Sequence, residues 1–200
     1  MTAIPTRAQL RATLRARREA LSPATRLAAA QALPAVLEQL PEFLTDRRIA
    51  GYWAIGGELP LLALTSGLRA RGQEWYLPVL AEDRCLRFAR WRPGDAIEPN
   101  RYGIPEPRDG RAEALAANEI DVVLVPLLGF DRRGHRLGFG GGWYDRTFAF
   151  LHGRTGVSRP LLVGIGYAIQ EVDEIPIEPW DVRLDCIATE RELIDLVPAE

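Results

Sequence analysis

The chain has 200 residues, of which 47% are hydrophobic and 26% are charged, and its formal net charge is −2. A chain of this size can bury about 70% of its unfolded surface, so we expect a single domain over residues 1–200. The apolar runs fall far short of the ~20 residues of a membrane span, and the start lacks the basic-then-apolar pattern of a signal peptide. These features predict a cytoplasmic protein that does not contact a membrane.

The N-terminal segment predicts a basic helix at about 6–21. Thr6 followed three residues later by Gln9 is a capping-box signal. The helix has an apolar stripe and, as we interpret it, an opposite basic stripe. The apolar stripe is Leu10, Leu14 and Leu21, and the basic stripe is Arg7, Arg11, Arg15 and Arg18.

A second helix is predicted to begin at Ser22 and Pro23, which supply an N-cap and a first-turn proline. Pro34 should kink or split this helix, and Pro41 should end it. A short final helix is predicted near the C-terminus, because Thr189 and Glu192 have capping-box spacing.

The rest of the chain alternates predicted strands and helices. We predict strands at 48–55, 74–77, 85–91, 121–125, 161–166 and 184–188, helices at 61–71 and 143–152, and a proline-rich loop or excursion at 92–109. This order predicts an α/β fold with a mainly parallel sheet, helices on both faces and a right-handed crossover between the fourth and fifth strands. Cys85 and Cys186 lie in predicted strands and are expected to be reduced core thiols, without a disulfide or zinc.

The composition restricts the chemistry. All 25 residues counted as lysine or arginine are arginine, which excludes a Schiff-base lysine and the lysine of a phosphate-binding P-loop. The chain has two histidines and no serine in a G-x-S-x-G turn, so triad acyl transfer has little support. No basic stripe carries interleaved aromatics, and we expect no nucleic-acid partner. Arginines, carboxylates and backbone amides therefore remain as the groups that could bind a ligand or take part in catalysis.

The most informative stretch is "RLGFGGGWYDR", residues 136–146. Its four glycines, which we call the glycine segment (residues 138–142), precede a predicted helix. Without Cβ atoms the backbone can adopt positive φ angles and present N–H groups to an anion such as phosphate. The alternative is a tight turn that packs against the sheet.

A dinucleotide site is disfavoured. Its G-x-G-x-x-G signature opens directly after a strand and has an acidic residue about 20 positions further on. Here Gly138 comes 13 residues after Val125, and residues 158–165 contain no acid.

The residues that flank the glycine segment add specificity. Arg136 and Asp145 are candidates for a phosphate partner and a magnesium ligand. The alternative interpretation of Arg136 is that it is an exposed turn residue. The alternative interpretation of Asp145 is that it is an acid in the first helical turn that complements the helix dipole. Trp143 and Tyr144 are either core residues or a surface for a flat ligand.

The segment "DVVLVPLLGFDRRGHRLGFGGGWYDRTFA" (121–149) closely resembles the most distinctive stretch of the 5-formyltetrahydrofolate cyclo-ligase (methenyltetrahydrofolate synthetase) family. Four further blocks are similar, in the order that the family has them. They are "RAQLRATLRARREALS", "GYWAIGGELP", "FARWRPGD" with "YGIPEP", and "VDEIPIEPWDVRLDCIATE".

The resemblance implies a three-layer α/β fold like that of sugar-phosphate isomerases and CoA-transferases. It also implies an ATP-dependent ligase of one-carbon metabolism that uses Mg²⁺, acts on small molecules and exists as a monomer or weak homodimer. The reaction would be cyclisation of 5-formyltetrahydrofolate to 5,10-methenyltetrahydrofolate, with release of ADP and phosphate, through phosphorylation of the formyl oxygen.

The family pattern also implies roles for particular residues. It assigns ATP to Arg7, Arg11, Arg136, Gly138, Phe139, Gly140, Gly141, Gly142, Trp143 and Tyr144; the folate to Trp53, Glu58, Phe139, Gly140, Gly141, Gly142 and Trp143; and magnesium to Asp145 and Asp181. Arg136, Tyr144 and Arg11 would be the catalytic groups, and Tyr102 is a further stacking candidate. For Glu58 the alternative is a cap of the following helix, and for Asp181 it is a solvated charge.

Three positions depart from the family pattern. Arg7 stands where lysine is usual, Trp180 replaces a commoner histidine or other polar residue, and Pro60 replaces a polar residue. Two other functions remain open at this point. One is a non-catalytic nucleotide- or folate-binding protein of the same fold, and the other is a sugar-phosphate isomerase or CoA-transferase, which the absence of lysine disfavours.

Overall fold

The computed structural model describes residues 5–154 and 158–196. The α-helices are α1 (Arg7–Glu19), α2 (Pro23–Leu37), α3 (Pro41–Thr45), α4 (Leu64–Ala70) and α5 (Trp143–Thr147), with 3-10 turns at Ala117–Glu119, Ala149–Leu151 and Ala168–Gln170. The strands are β1 (Arg48–Ala50), β2 (Glu74–Leu80), β3 (Leu86–Arg90), β4 (Ile97–Pro99), β5 (Pro105–Pro107), β6 (Val122–Pro126), β7 (Gly129–Phe130), β8 (Arg136–Leu137), β9 (Leu161–Ile165), β10 (Cys186–Ala188) and β11 (Leu193–Asp195).

Seven strands form the central sheet, in the order β11-β10-β9-β6-β1-β2-β3. The five inner strands are parallel, and the edge strands β3 and β11 run antiparallel to their neighbours. The strand order reverses direction between β1 and β6, which are adjacent. The predicted α/β fold with a mainly parallel sheet is confirmed.

Strand β6 shows why the sheet is covered on both faces. Val122 and Leu124 pack in one cluster with side chains of α2, α3 and α4, whereas Val123 and Val125 pack in a second cluster with Phe148. Alternate side chains of a strand point to opposite faces, so an uninterrupted apolar run needs a layer of cover on each side. The result is three layers.

Helix α1 begins at the predicted capping box, in which Thr6 and Gln9 satisfy each other's backbone amides. Its buried residues Leu10 and Leu14 contact a small cluster beside the β7–β8 hairpin. A Cβ at Gly129 of β7 would lie 2.4 Å from Leu14 Cδ1, so the glycine permits this close approach. The helix is thereby held against the part of the chain that carries the glycine segment.

The predictions for α2 and for the C-terminus need correction. Pro34 lies inside α2 and does not split it, and Pro41 begins α3 instead of ending α2. Pro34 has no N–H to donate to the Ala30 carbonyl, so the helix loses one hydrogen bond there, but the next turn is closed by Glu38 N–H on the Pro34 carbonyl. Buried side chains such as Leu37 offset that loss.

The predicted final helix is wrong. Thr189 Oγ1 accepts from the amides of Arg191 and Glu192, but the chain then forms β11, which pairs antiparallel with β10. A Thr with an acid three residues later suits a hairpin turn as well as a helix start, and burial of Ile194 selects the strand.

The proline-rich excursion contains the β4–β5 hairpin. Glu106 in β5 is buried, and its carboxylate accepts hydrogen bonds from Leu80 N–H of β2 and from the Asn100 amide. The Leu80 bond ties the excursion to the sheet, and the Asn100 bond lies within the excursion.

Of the two cysteines, Cys186 is buried in β10, and Cys85 is half-buried just before β3; both are free thiols. Within the described ranges, no helix combines the length and apolar character required to cross a bilayer.

Candidate active site

A cavity of about 680 Å³ opens at the carboxyl ends of β1 and β6. Tyr52 and Trp53, which follow β1, line it together with Pro126 at the end of β6. This is the point where the strand order reverses, and open α/β sheets bind ligands in the crevice that such a reversal creates.

Every residue assigned by the family pattern lies on the wall of this one cavity. They are Arg7, Arg11, Trp53, Glu58, Arg136, Gly138, Phe139, Gly140, Gly141, Gly142, Trp143, Tyr144, Asp145 and Asp181. Tyr102, the additional stacking candidate, is there too. The structure therefore brings the whole predicted set together, while the individual roles stay predictions.

Helix α1 supplies two arginines. Arg7 donates to both carboxylate oxygens of Asp181, at 2.5 and 3.3 Å, and to the Pro176 carbonyl at 2.9 Å. Arg11 Nε donates to the Gly138 carbonyl at 3.0 Å. Burial and the nearby Arg7 charge lower the pKa of Arg11. Two neighbouring guanidinium groups create a positive potential, which an anionic ligand would relieve.

The glycine segment has the backbone freedom that its sequence predicts. Gly140 and Gly142 have φ of +98° and +62°, and Gly142 is the left-handed N-cap residue of α5. None of the amides of residues 138–142 donates a hydrogen bond to another described residue. The predicted helix 143–152 is shorter, because α5 ends at Thr147 and a 3-10 turn follows, so the loop amides and not a long helix dipole are available to an anion.

Arg136 and Asp145 form an ion pair. Arg136 is 7% exposed and donates to Asp145 Oδ1 and to the Val182 carbonyl, so the alternative of an exposed turn residue is wrong. Burial lowers the pKa of Arg136, and Asp145 and Asp181 oppose that change. Asp145 Oδ1 also accepts from Val182 N–H, whereas its Oδ2 accepts from no other described residue.

Two carboxylates are therefore placed where a cation could bind. The described residues contain no group of three or more His, Cys, Asp or Glu side chains fit to hold a metal by themselves. Mg²⁺ commonly takes only one or two carboxylates, with phosphate oxygens and water completing its shell. Asp145 and Asp181 fit that requirement only in the company of a phosphate ligand.

Glu58 also lines the cavity. It is 7% exposed, and its Oε2 accepts from Ile55 N–H at 2.9 Å across a loop in which Gly56 and Gly57 have positive φ. No side-chain hydrogen bond caps α4, so Glu58 does not cap that helix. Burial raises the pKa of Glu58 to about 7, and the Ile55 bond and the Arg18 charge oppose the rise.

Aromatic side chains form the remaining walls. Trp53 meets Trp91 edge-on at 5.7 Å between ring centroids, and Tyr102 meets Trp143 edge-on at 6.2 Å. Burial raises the pKa of Tyr144, so its hydroxyl stays protonated and can act as a donor.

Sequence reasoning missed some of the groups around the cavity. Trp180, noted only as a departure, lines the wall with Glu178, and Glu106 and Asn100 line it from the excursion. Arg18, predicted to share a stripe opposite the leucines, is 2% exposed beneath Phe139. A helical wheel could have identified Arg18, because at about 100° per residue it lies only about 40° from Leu14.

The raised pKa of Glu58 predicts a pH-dependent effect on stability. The folded protein binds a proton at Glu58 more tightly than the unfolded chain does. Glu58 therefore destabilises the fold increasingly as the pH rises from about 4.5 to about 7, and by a constant amount above that. Glu58→Gln should match the wild type near pH 4.5 and gain on the order of 3 kcal/mol in unfolding free energy at about pH 8.

Urea denaturation at both pH values measures this difference. Glu19→Gln, at an exposed position on α1, serves as the matched control and should show no such trend. A gain for Glu58→Gln that is the same at the two pH values contradicts the assignment.

Comparison with known proteins places this geometry in a family. The 5-formyltetrahydrofolate cyclo-ligase family model matches residues 3–190. The 5-formyltetrahydrofolate cyclo-ligase of Haemophilus influenzae is 34% identical over 180 residues, which cover 89% of this chain and 94% of that protein. The Escherichia coli enzyme of the same name is 33% identical over 179 residues, covering 88% and 96%.

Two solved structures share the fold. The NMR structure of Aquifex aeolicus 5,10-methenyltetrahydrofolate synthetase has a TM-score of 0.81 and 29% identity, covering 97% of this chain and 94% of that one. A 5,10-methenyltetrahydrofolate synthetase from Mycoplasma pneumoniae has a TM-score of 0.70 and 25% identity, covering 92% and 99%. With nearly the whole chain matched and the predicted residues gathered around one cavity, this protein belongs to the 5-formyltetrahydrofolate cyclo-ligase family.

Proposed function

We propose that this protein catalyses the ATP- and Mg²⁺-dependent cyclisation of 5-formyltetrahydrofolate to 5,10-methenyltetrahydrofolate, with release of ADP and phosphate. The observation that carries the proposal is that one cavity is lined both by cationic and amide groups suited to phosphates and by a buried acid and aromatics suited to a pterin. A reaction between ATP and a folate needs both sets within reach of each other.

At the folate end, Glu58 is the polar anchor. An ionised carboxylate can accept two hydrogen bonds side by side from the N–H groups of a pterin ring. Trp53 and Trp143 offer flat apolar surfaces to the ring system, and Phe139 contributes from the glycine segment. These groups orient the formyl substituent within the same cavity.

At the phosphate end, Arg7 and Arg11 face the glycine segment. The unpaired amides of residues 138–142 can donate to phosphate oxygens, and the two guanidinium groups supply positive charge. Arg136 adds a buried charge behind Asp145. Phosphoryl transfer depends mainly on positioning and on stabilising spread negative charge, so it needs no protein nucleophile.

The proposed reaction has two steps. The formyl oxygen attacks the γ-phosphorus, the bond to the departing ADP breaks, and the oxygen becomes a phosphate ester. The nitrogen at position 10 then attacks the activated carbon and loses its proton, and the C–O bond breaks to release phosphate. Tyr144, Arg11 and Arg136 are the groups we assign to stabilise the charge that develops on the transferring oxygens.

Asp145 and Asp181 are the residues that would hold Mg²⁺. When bound, the ion would neutralise charge on the phosphate oxygens. The two carboxylates are paired with Arg136 and Arg7, which keeps them oriented and limits their mutual repulsion.

The direct test is a spectroscopic assay with ATP, Mg²⁺ and 5-formyltetrahydrofolate. We expect the methenyl chromophore to accumulate only when all three are present, with ADP and phosphate in equal amounts. An isotopic oxygen label in the formyl group should appear in the released phosphate. Binding of both substrates without turnover would favour the non-catalytic alternative and contradict the ligase proposal.

Asp145→Asn should lower kcat by on the order of a hundredfold or more, because it removes the charge needed to hold Mg²⁺ and to pair with Arg136. Asp109→Asn, at an exposed site outside the cavity, is the matched control and should leave turnover unchanged. Steady-state kinetics over a range of Mg²⁺ concentrations measures both. Near-normal turnover in Asp145→Asn would assign Asp145 to a structural role.

Arg11→Ala should raise the KM for ATP by about tenfold or more and that for the folate much less, since Arg11 contacts the glycine segment. Arg17→Ala provides the control, because Arg17 is exposed on the same helix. A larger change in the KM for the folate would contradict the placement of the phosphates.

A further inference from the structure

Arg18 is a charged group in a place where a charge is costly. It is 2% exposed, and neither Nε nor Nη1 has a hydrogen-bond partner among the described residues. Arg15, three residues earlier on α1, is exposed. A buried guanidinium without partners destabilises a fold, and an apolar residue of similar length would fit this position at lower cost.

The surroundings of Arg18 belong to the cavity wall. Its Cζ lies 5.0 Å from the ring centroid of Phe139, which lines the cavity from the glycine segment. On another side, a Cβ at Gly56 would lie 3.4 Å from Arg18 Nη2, in the loop that leads to Glu58. The guanidinium thus sits behind the wall, between the segment that carries Phe139 and the loop that carries Glu58.

Arg18 is also the charged group that acts on Glu58 from behind. Burial lowers the pKa of Arg18, and the Glu58 charge raises it. Burial raises the pKa of Glu58, and the Arg18 charge lowers it. The other titratable groups that interact with Glu58 are tyrosines whose pKa burial raises, so they are neutral at physiological pH. They are Tyr52, Tyr144 and Tyr167.

The geometry points to Arg18 as a positioning residue for the folate end of the cavity, which favours the charged form of the Glu58 carboxylate and supports Phe139 from below. It acts through these two residues and does not line the cavity itself. The inference rests on the proposed function, because it assigns Glu58 and Phe139 to the folate. It explains why the chain retains an unpaired buried charge at position 18.

The test compares Arg18→Met, which keeps an unbranched apolar stem and removes the charge, with Arg18→Lys, which keeps a charge. Arg17→Met, at the neighbouring exposed position, is the matched control. We expect Arg18→Met to raise the KM for 5-formyltetrahydrofolate by about threefold at about pH 7.5, with little change in the KM for ATP. In the pH profile of kcat/KM for the folate, the acidic limb of Arg18→Met should lie about one pH unit higher than that of the wild type. Arg18→Lys should recover part of both effects.

A stability measurement separates this role from a structural one. At about pH 6, where most Glu58 is protonated in the wild type, Arg18→Met should melt at the same temperature as the wild type or higher, because no hydrogen bond is lost. A lower Tm together with an unchanged pH profile would make Arg18 a structural residue and overturn the inference. Kinetics identical to those of Arg17→Met would overturn it as well.

The proposed function can fail separately. If the wild type forms no methenyl product, the ligase proposal falls, and the Glu58 carboxyl can still be titrated by carbon NMR with Glu58→Gln to assign its signal. An upward shift of the Glu58 pKa in Arg18→Met would support the electrostatic link by itself. An unchanged pKa would overturn the inference whatever the activity.

Discussion

The site depends on how α1 docks against the rest of the protein. Leu10 and Leu14 are buried beside the β7–β8 hairpin, and the absence of a side chain at Gly129 lets Leu14 approach the backbone. The arginines at positions 7, 11 and 18 then face the cavity region because they share or adjoin that buried face of the helix. Apolar contacts worth a few kcal/mol thus position guanidinium groups that would otherwise be free in solvent.

The sheet and the loops contribute differently to the cavity. The parallel strands fix the crevice where Tyr52, Trp53 and Pro126 emerge, and this part follows from topology alone. The charged groups come from segments far apart in the sequence: Arg7 and Asp181 pair across 174 positions. The docking of α1 and of the C-terminal segment must therefore be complete before the proposed phosphate end of the cavity is formed.

Some of this could be read from the sequence because certain features act locally. A capping box at Thr6, a buried apolar run such as 121–125 and glycines at positive φ each have one dominant physical explanation. The spacing of Thr189 and Glu192 does not have one dominant explanation, because it is found both at a helix start and in a hairpin turn. The pairing of β11 with β10 decides in favour of the hairpin turn. The burial of Arg18 was missed for a different reason: its place on the helical wheel is beside Leu14, but a charged side chain is ordinarily assigned to the solvent face of a helix.

Arg136 and Arg18 show what the buried charges of the cavity have in common and where they differ. Arg136 has a carboxylate and a carbonyl as partners, so its charge is compensated. Two nitrogens of Arg18 have no partner, and Glu58 beside it has a pKa of about 7, so neither charge is fully compensated. Pterin N–H donors would favour the ionised form of Glu58, and the ionised carboxylate would in turn stabilise the Arg18 charge. Under the proposed function, binding of the folate would therefore recover the free energy that the uncompensated charges of Glu58 and Arg18 cost the fold, and this would link substrate affinity to a loss of stability.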